Sequence, residues 1–257
     1  MKTTLATIAA ALVFLAPPVT GQPGGAPPRT PPPTPDRMVL QQRRQETVQS
    51  LQELTNQVRK MNEAMQRDKV PQSYQRMGAQ MQEACARLGD VQRLMAVHES
   101  KLEGDVKPGR LEAIDRVEER FRVMAREMEE AQHTLRYLAT MKERKCDPLP
   151  ADEAEMVRAR NQELAEHVVR VNERLRSLGE WSDATDAPVN ARETVRTMAQ
   201  LQERLRTMAE ACDNMRNDST LNGDRERLRE MDRLHDRLHV TLREMEESAE
   251  ALPQAFE

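Results

Sequence analysis

Aromatic side chains are almost missing from this chain: three Phe, two Tyr and one Trp among 257 residues. A core must then be assembled from Leu, Val, Met and Ala, which argues against a sheet protein built on aromatic and β-branched strands. Glycine is also sparse, with nine residues. None of them builds the loop that cradles phosphate or the Gly-x-Ser-x-Gly elbow of a hydrolase. Cys-x-x-Cys does not occur, so disulfide exchange and structural zinc have no ligand set. The formal net charge is only -4, and the two signs alternate along the chain instead of forming the basic face that phosphate contacts need. Nucleic acid is therefore not an expected partner, and no motif supports an enzyme.

What is abundant is charge, 32% of residues, together with 16 Met and a mean hydropathy of -0.79. Such a composition with a period of 3.5 to 3.6 belongs to long helices. The stretch Arg110 to Lys145 holds no Pro or Gly. Its apolar residues Leu111, Ile114, Val117, Phe121, Met124, Met128, Leu135, Leu138 and Met141 recur in steps of 3 or 4 or their sums. This predicts one helix, roughly 54 Å long at 1.5 Å per residue, whose stripe needs other long helices as cover.

The amino terminus points to export. Residues 1–21 read as a secretory signal peptide: Lys2, then an apolar run from Leu5 to Ala16, then Pro17 to Gly21. That run is too short to span a bilayer well, so no transmembrane segment is expected in the mature chain. Residues 22–37 are expected to be a disordered Pro-rich linker, because Pro supplies no amide hydrogen and Gly adds freedom. Residues 38–257 form the expected all-α domain: about six long antiparallel amphipathic helices in an elongated bundle or set of coiled-coil hairpins. Two three-helix units, 38–146 and 151–257, are one way to arrange them.

The predicted helices are bounded by turn residues. The first runs from an Asp36 cap to about Asp68, ended by Val70 and Pro71; the second covers about Ser73 to Leu102. The fourth, about Ala151 to Leu178, has a seam of Val157, Asn161, Leu164, Val168, Val171, Leu175 and Leu178. Its one polar member, Asn161, reads as a register-fixing residue. Glu180 to Val189, which contains Trp181, is expected to be a loop, and Asn190 with Glu193 a capping box opening the fifth helix. The sixth, from about Leu228, is expected to close at Pro253. A duplication is also expected, helix 1 matching helix 5 at a spacing of 147 and helix 2 matching helix 6 at 150.

Candidate chemistry is confined to three sets. His235 and His239 are four apart on a helix and form a candidate zinc or copper site; the Met pairs 61/65, 77/81 and 124/128 are soft donors suited to Cu(I), or else flexible core filler. Glu130 and His133 have the Glu-x-x-His spacing of di-iron bundles, but no second such motif completes a site. Cys85, Cys146 and Cys212 are disulfide candidates; being three, they leave one thiol over, which could join two chains.

In its exported, Met-, Gln- and Arg-rich helical character the chain is similar to the Spy and CpxP type of periplasmic chaperone. Their Leu-Thr-x-x-Gln signature is not reproduced, since Leu54-Thr55-Asn56-Gln57 is one residue short. The expected function is a non-enzymatic exported scaffold or partner-binding protein, periplasmic or secreted, that uses helical surfaces to hold a protein partner or a second copy of itself. The alternative is a metal- or stress-responsive or chaperone-like protein. No resident cofactor is expected beyond the copper or zinc of that alternative.

Overall fold

The 3-to-4 spacing of apolar residues becomes six helices in a computed structural model that describes residues 35–100, 108–141, 149–217 and 224–256. In order they are α1 (Pro35–Arg67), α2 (Gln72–Ser100), α3 (Pro108–Thr140), α4 (Ala151–Ala184), α5 (Val189–Asn217) and α6 (Arg225–Phe256). No strand occurs among the described residues, so the chain is an all-α bundle. Residues 32–257 make one compact unit. The expected signal peptide and most of the linker lie outside the described residues, as do Cys146 and the 101–107, 142–148 and 218–223 connections.

Five boundaries differ from expectation. First, α1 begins at Pro35, inside the expected linker, because Pro suits the first helical turn, where its missing N–H costs nothing. Second, α3 stops at Thr140 rather than Lys145: the Met141 amide turns back to Leu138 O (3.2 Å), and Arg227 of α6 donates to Met141 O (3.1 Å). Third, α4 runs through Gly179 to Ala184, so Trp181 is helical; it continues the stripe three residues after Leu178. Its Thr185 amide closes on Trp181 O at 3.0 Å. Fourth, α5 opens at Val189, and the Pro188 carbonyl just ahead of it accepts from Ala191 and Arg192 (2.9 and 3.1 Å). Asn190 therefore sits inside the first turn and not at the cap. Finally, α6 carries Pro253 within its last turn and continues to Phe256.

Helices that follow one another run antiparallel. Arg44 near the start of α1 meets Glu99 at the end of α2, and Asn62 near the end of α1 meets Gly78 near the start of α2. The most extensive pairings are α3 with α6 and α2 with α5, so α2, α3, α6 and α5 form a central four-helix layer. The first helix of each half flanks it, α1 against α2 and α3, α4 against α5 and α6. The stripes merge into one continuous core that includes Leu51, Met81, Phe121, Leu164, Leu205 and Leu242.

This arrangement exposes a repeat at a spacing other than 147 or 150. Gln72 and Val189 open α2 and α5, Pro108 and Arg225 open α3 and α6, and each pair is 117 residues apart. At that spacing 12 of the 26 residues from Arg110 to Leu135 recur without a gap in Arg227 to Leu252, including Arg-Glu-Met-Glu-Glu at 126–130 and 243–247. Among the described residues, the two non-glycine residues with left-handed φ, Lys69 (55°) and Asp186 (48°), are also 117 apart and precede Pro71 and Pro188 by two positions. Ion pairs repeat with the sequence: Arg43 faces Asp115 at 3.4 Å and Arg160 faces Asp232 at 3.6 Å. Across the α3/α6 contact the pairs are reciprocal. Arg120 meets Glu244 (3.3 Å) and Glu247, while Arg237 meets Glu127 (2.9 Å). The chain is thus two three-helix repeats, α1 to α3 and α4 to α6, packed about an approximate two-fold axis. The 147 and 150 matches reflect the shared heptad bias of amphipathic helices.

Candidate functional site

Two buried polar clusters occupy equivalent places in the repeats. In the first, Arg44 of α1 lies 2.6 Å from Glu99 of α2 and also contacts Glu118 of α3, all three less than a tenth exposed. Burial draws the Arg44 pKa below its ordinary value, opposed by the Glu99 charge and hydrogen bond. In the second repeat those positions are Asn161, Arg216 and His235. The cation has moved from the first helix to the second: Arg216 donates to Asn161 Oδ1 at 2.7 Å and to Asp232 at 2.6 Å. Asn161 is buried in the α4 seam as its spacing predicts and accepts from α5, which suits a register-fixing residue. Desolvated pairs of this kind add little net stability, but a slipped helix would strand a buried charge. Their role is to position helices.

The histidines are used in the same way. His235 Nε2 lies 3.1 Å from Arg160 O, and burial and the Arg216 charge lower its pKa. His239 instead pairs its ring with His167 of α4, centroids 4.5 Å apart, and His167 Nε2 is 3.2 Å from Glu246. The two candidate metal ligands therefore face different neighbours. Among the described residues no group of three or more His, Cys, Asp or Glu stands where it could hold a metal ion. Cys85 and Cys212 carry free, buried thiols, both pushed up to about 12 by burial. Of the three disulfide candidates, Cys146 lies outside the described residues, and the other two stand apart: Cys85 packs under α1, while Cys212 donates to Met231 O at 3.8 Å. Met61, Met65, Met77, Met81, Met124 and Met128 are all core residues, the filler role of a chain short of aromatics.

Several open clefts mark the described residues, and one of them lies between α1 and α3. This groove of about 660 Å³ is bordered by Gln57, Lys60 and Ala64 on α1, by Asp68 in the turn after it, and by Gln132, His133, Arg136 and Ala139 on α3. Met61 and Met65 lie beneath it, with Val70 at its end. Its rim is net basic, since Lys60 and Arg136 are exposed and the Asp68 carboxylate already has Arg67 at 3.5 Å. His133, which sequence spacing associates with Glu130, lines this groove. Size and an apolar floor under a polar rim are what binding sites share.

Sequence reading missed Arg44, Glu99, Glu118, Arg216 and His167. A signal existed: Arg44 interrupts the stripe between Leu40 and Leu51, at the place where α4 has Asn161, and the 117-residue spacing links the two. Comparison of the chain with family models, curated proteins and solved structures finds no match.

Proposed function

We propose that this protein is an exported, non-enzymatic helical scaffold that holds a protein partner, with the α1/α3 groove as its contact surface. The groove carries this reading: it is a Met- and Ala-floored cleft of about 660 Å³ with a basic rim, open to solvent along α1 and α3. Support comes also from the polar groups that acid/base chemistry would need. His235, Arg216 and Glu118 are spent on contacts between helices. Export rests on the signal-like residues 1–21.

A photo-crosslinking side chain at Gln57 in the native host tests it, with Arg176 on the exposed face of α4 as control. A discrete adduct from Gln57 and none from Arg176, in a protein whose mass begins at Gln22, is the expected result. No adduct at Gln57, or the same adducts at both positions, refutes the groove as the contact; an intact amino terminus refutes cleaved export.

A further inference from the structure

The two repeats differ where the groove lies, and the difference indicates what fills it. Ala64 borders the groove on α1. Its register equivalent on α4, 117 residues on, is Trp181, the only Trp of the chain. Trp181 is half-buried and packs against the core. At the register position where the second repeat carries an indole packed on the core, the first carries a methyl group on the border of the groove. The rims differ as well. Lys60, His133 and Arg136 stand where the second repeat has Ser177, Glu250 and Pro253, so the groove is basic and the equivalent positions are not.

We propose that the α1/α3 groove binds an acidic helical segment of a partner protein, with an aromatic side chain seated over Met61 and Met65 where Trp181 sits in the other repeat, and carboxylates meeting Lys60 and Arg136. This rests on the partner-binding reading and names the partner's chemistry. An aromatic ring brings a large apolar area with few rotatable bonds, which makes it a frequent anchor at interfaces. Flanking carboxylates match the rim and speed association. The chain's own tail does not fit: residues 22–34 contain no aromatic and no acidic residue.

The test uses the full-length mature protein and a fluorescein-labelled helical peptide of Glu and Ala with one central Trp, read by anisotropy. One peptide should bind per chain. Replacing its Trp by Ala, or its Glu by Lys, should weaken binding about tenfold or more. Ala64→Trp should abolish binding while leaving the melting temperature equal or higher, because it copies the second repeat. Lys60→Glu with Arg136→Glu, both at exposed positions, should lose binding about tenfold even if Ala64→Trp folds poorly. The proposal is overturned if the Trp peptide does not bind, if its Ala version binds equally, or if the charge reversals leave binding unchanged. It is also overturned if a concentration-dependent dimer that Ala64→Trp dissolves occupies the groove instead. A partner adduct at Gln57 combined with no peptide binding would refute the aromatic anchor and leave the partner-binding reading standing; loss of both would refute both.

Discussion

Two glycines in helix interiors should respond to alanine with opposite signs. Gly78 lies in α2 where α1 crosses closely: Asn62 Nδ2 donates to Gly78 O at 3.1 Å and to Gln82 Oε1 at 3.0 Å. A Cβ on Gly78 would overlap Asn62 Oδ1 and come within 2.6 Å of Met65 Cε. Gly179 in α4 has nothing within 4 Å of its added Cβ. Alanine in a helix interior gains about 1 kcal/mol over glycine, and at Gly179 that is the whole effect. At Gly78 the same gain meets two hydrogen bonds worth about 0.5 to 1.5 kcal/mol each and a crowding penalty of about 1 to 3 kcal/mol. The net is a loss of about 1 to 5 kcal/mol. For a domain of this size 1 kcal/mol moves the melting temperature by about 2 to 4 °C. Gly179→Ala should therefore melt about 2 to 4 °C higher and Gly78→Ala about 2 to 20 °C lower, measured by circular dichroism at 222 nm. The repeat supplies the rescue: 117 residues after Asn62 and Gly78 stand Gly179 and Val195, the large and small residues exchanged between helices. Asn62→Gly combined with Gly78→Val should thus melt well above Gly78→Val alone. If Gly78→Ala raises the melting temperature as Gly179→Ala does, the close crossing of α1 and α2 is wrong.

Burial pushes the Asp213 carboxyl up from 3.8 to about 6, against the pull of Arg216. A raised carboxyl disfavours folding once pH exceeds its unfolded value, so its cost grows between about pH 4 and 6 and persists above. Discounted for its partial solvent access, Asp213→Asn should stabilise by about 1 to 2 kcal/mol at pH 7 and by little below pH 4, read from denaturant melts; equal effects at both would refute the assignment. His167 has its pKa lowered by burial, His239 and Arg170, against Glu246. Its contribution is complete above about pH 6.5 and falls as pH drops, so His167→Gln should flatten the stability slope on the acid side of neutrality. Cys85 and Cys212 should resist alkylation at pH 8 in the folded protein and react on unfolding, which peptide mass spectrometry distinguishes; rapid labelling of either in the native state contradicts its burial. Arg237→Glu should lower stability modestly, and Glu127→Arg in the same chain should restore it, since the pair bridges α3 and α6.

Fold class was legible because a stripe of apolar residues at helical spacing can be read without knowing what covers it. The stripes Val157 to Leu178 and Ile114 to Leu138 are buried as their spacing predicts, with Leu111 half-buried at the start of α3. Ends were less legible, since they depend on partners distant in sequence. Nothing near Thr140 shows that α3 stops there; the guanidinium that donates to the Met141 carbonyl just beyond it comes from Arg227. The reciprocal end, where Arg110 donates to Ala255 O and Phe256 O of α6 (3.1 and 2.9 Å), is equally invisible locally. The groove could not be read at all, because it depends on how α1 and α3 pack, which no local pattern states. His235 and His239 looked like one site because they share a helix. Yet i and i+4 residues differ by about 40° around the axis, enough for one ring to meet Arg160 O and the other His167.

Why the repeats stay alike in α3 and α6 and differ elsewhere follows from the kind of contact each helix makes. At the α3/α6 contact Arg120 faces Glu244 and Glu247 while Arg237 faces Glu127. Every residue type there serves two symmetric pairs, and a charge admits replacement only together with its partner. The α2/α5 contact is largely apolar, and apolar packing constrains total volume more than identity. Ala84 and Leu201, or Val91 and Met208, can then stand at equivalent buried positions. The flanking helices are freer still, because α1 packs on α2 and α3 and α4 on α5 and α6, with neither having to match its own counterpart. That freedom allows Arg44 against Asn161 in the polar clusters and Ala64 against Trp181 at the groove. A new surface would arise on a flanking helix first, since change there leaves the central layer in place, and the open cleft is found on α1.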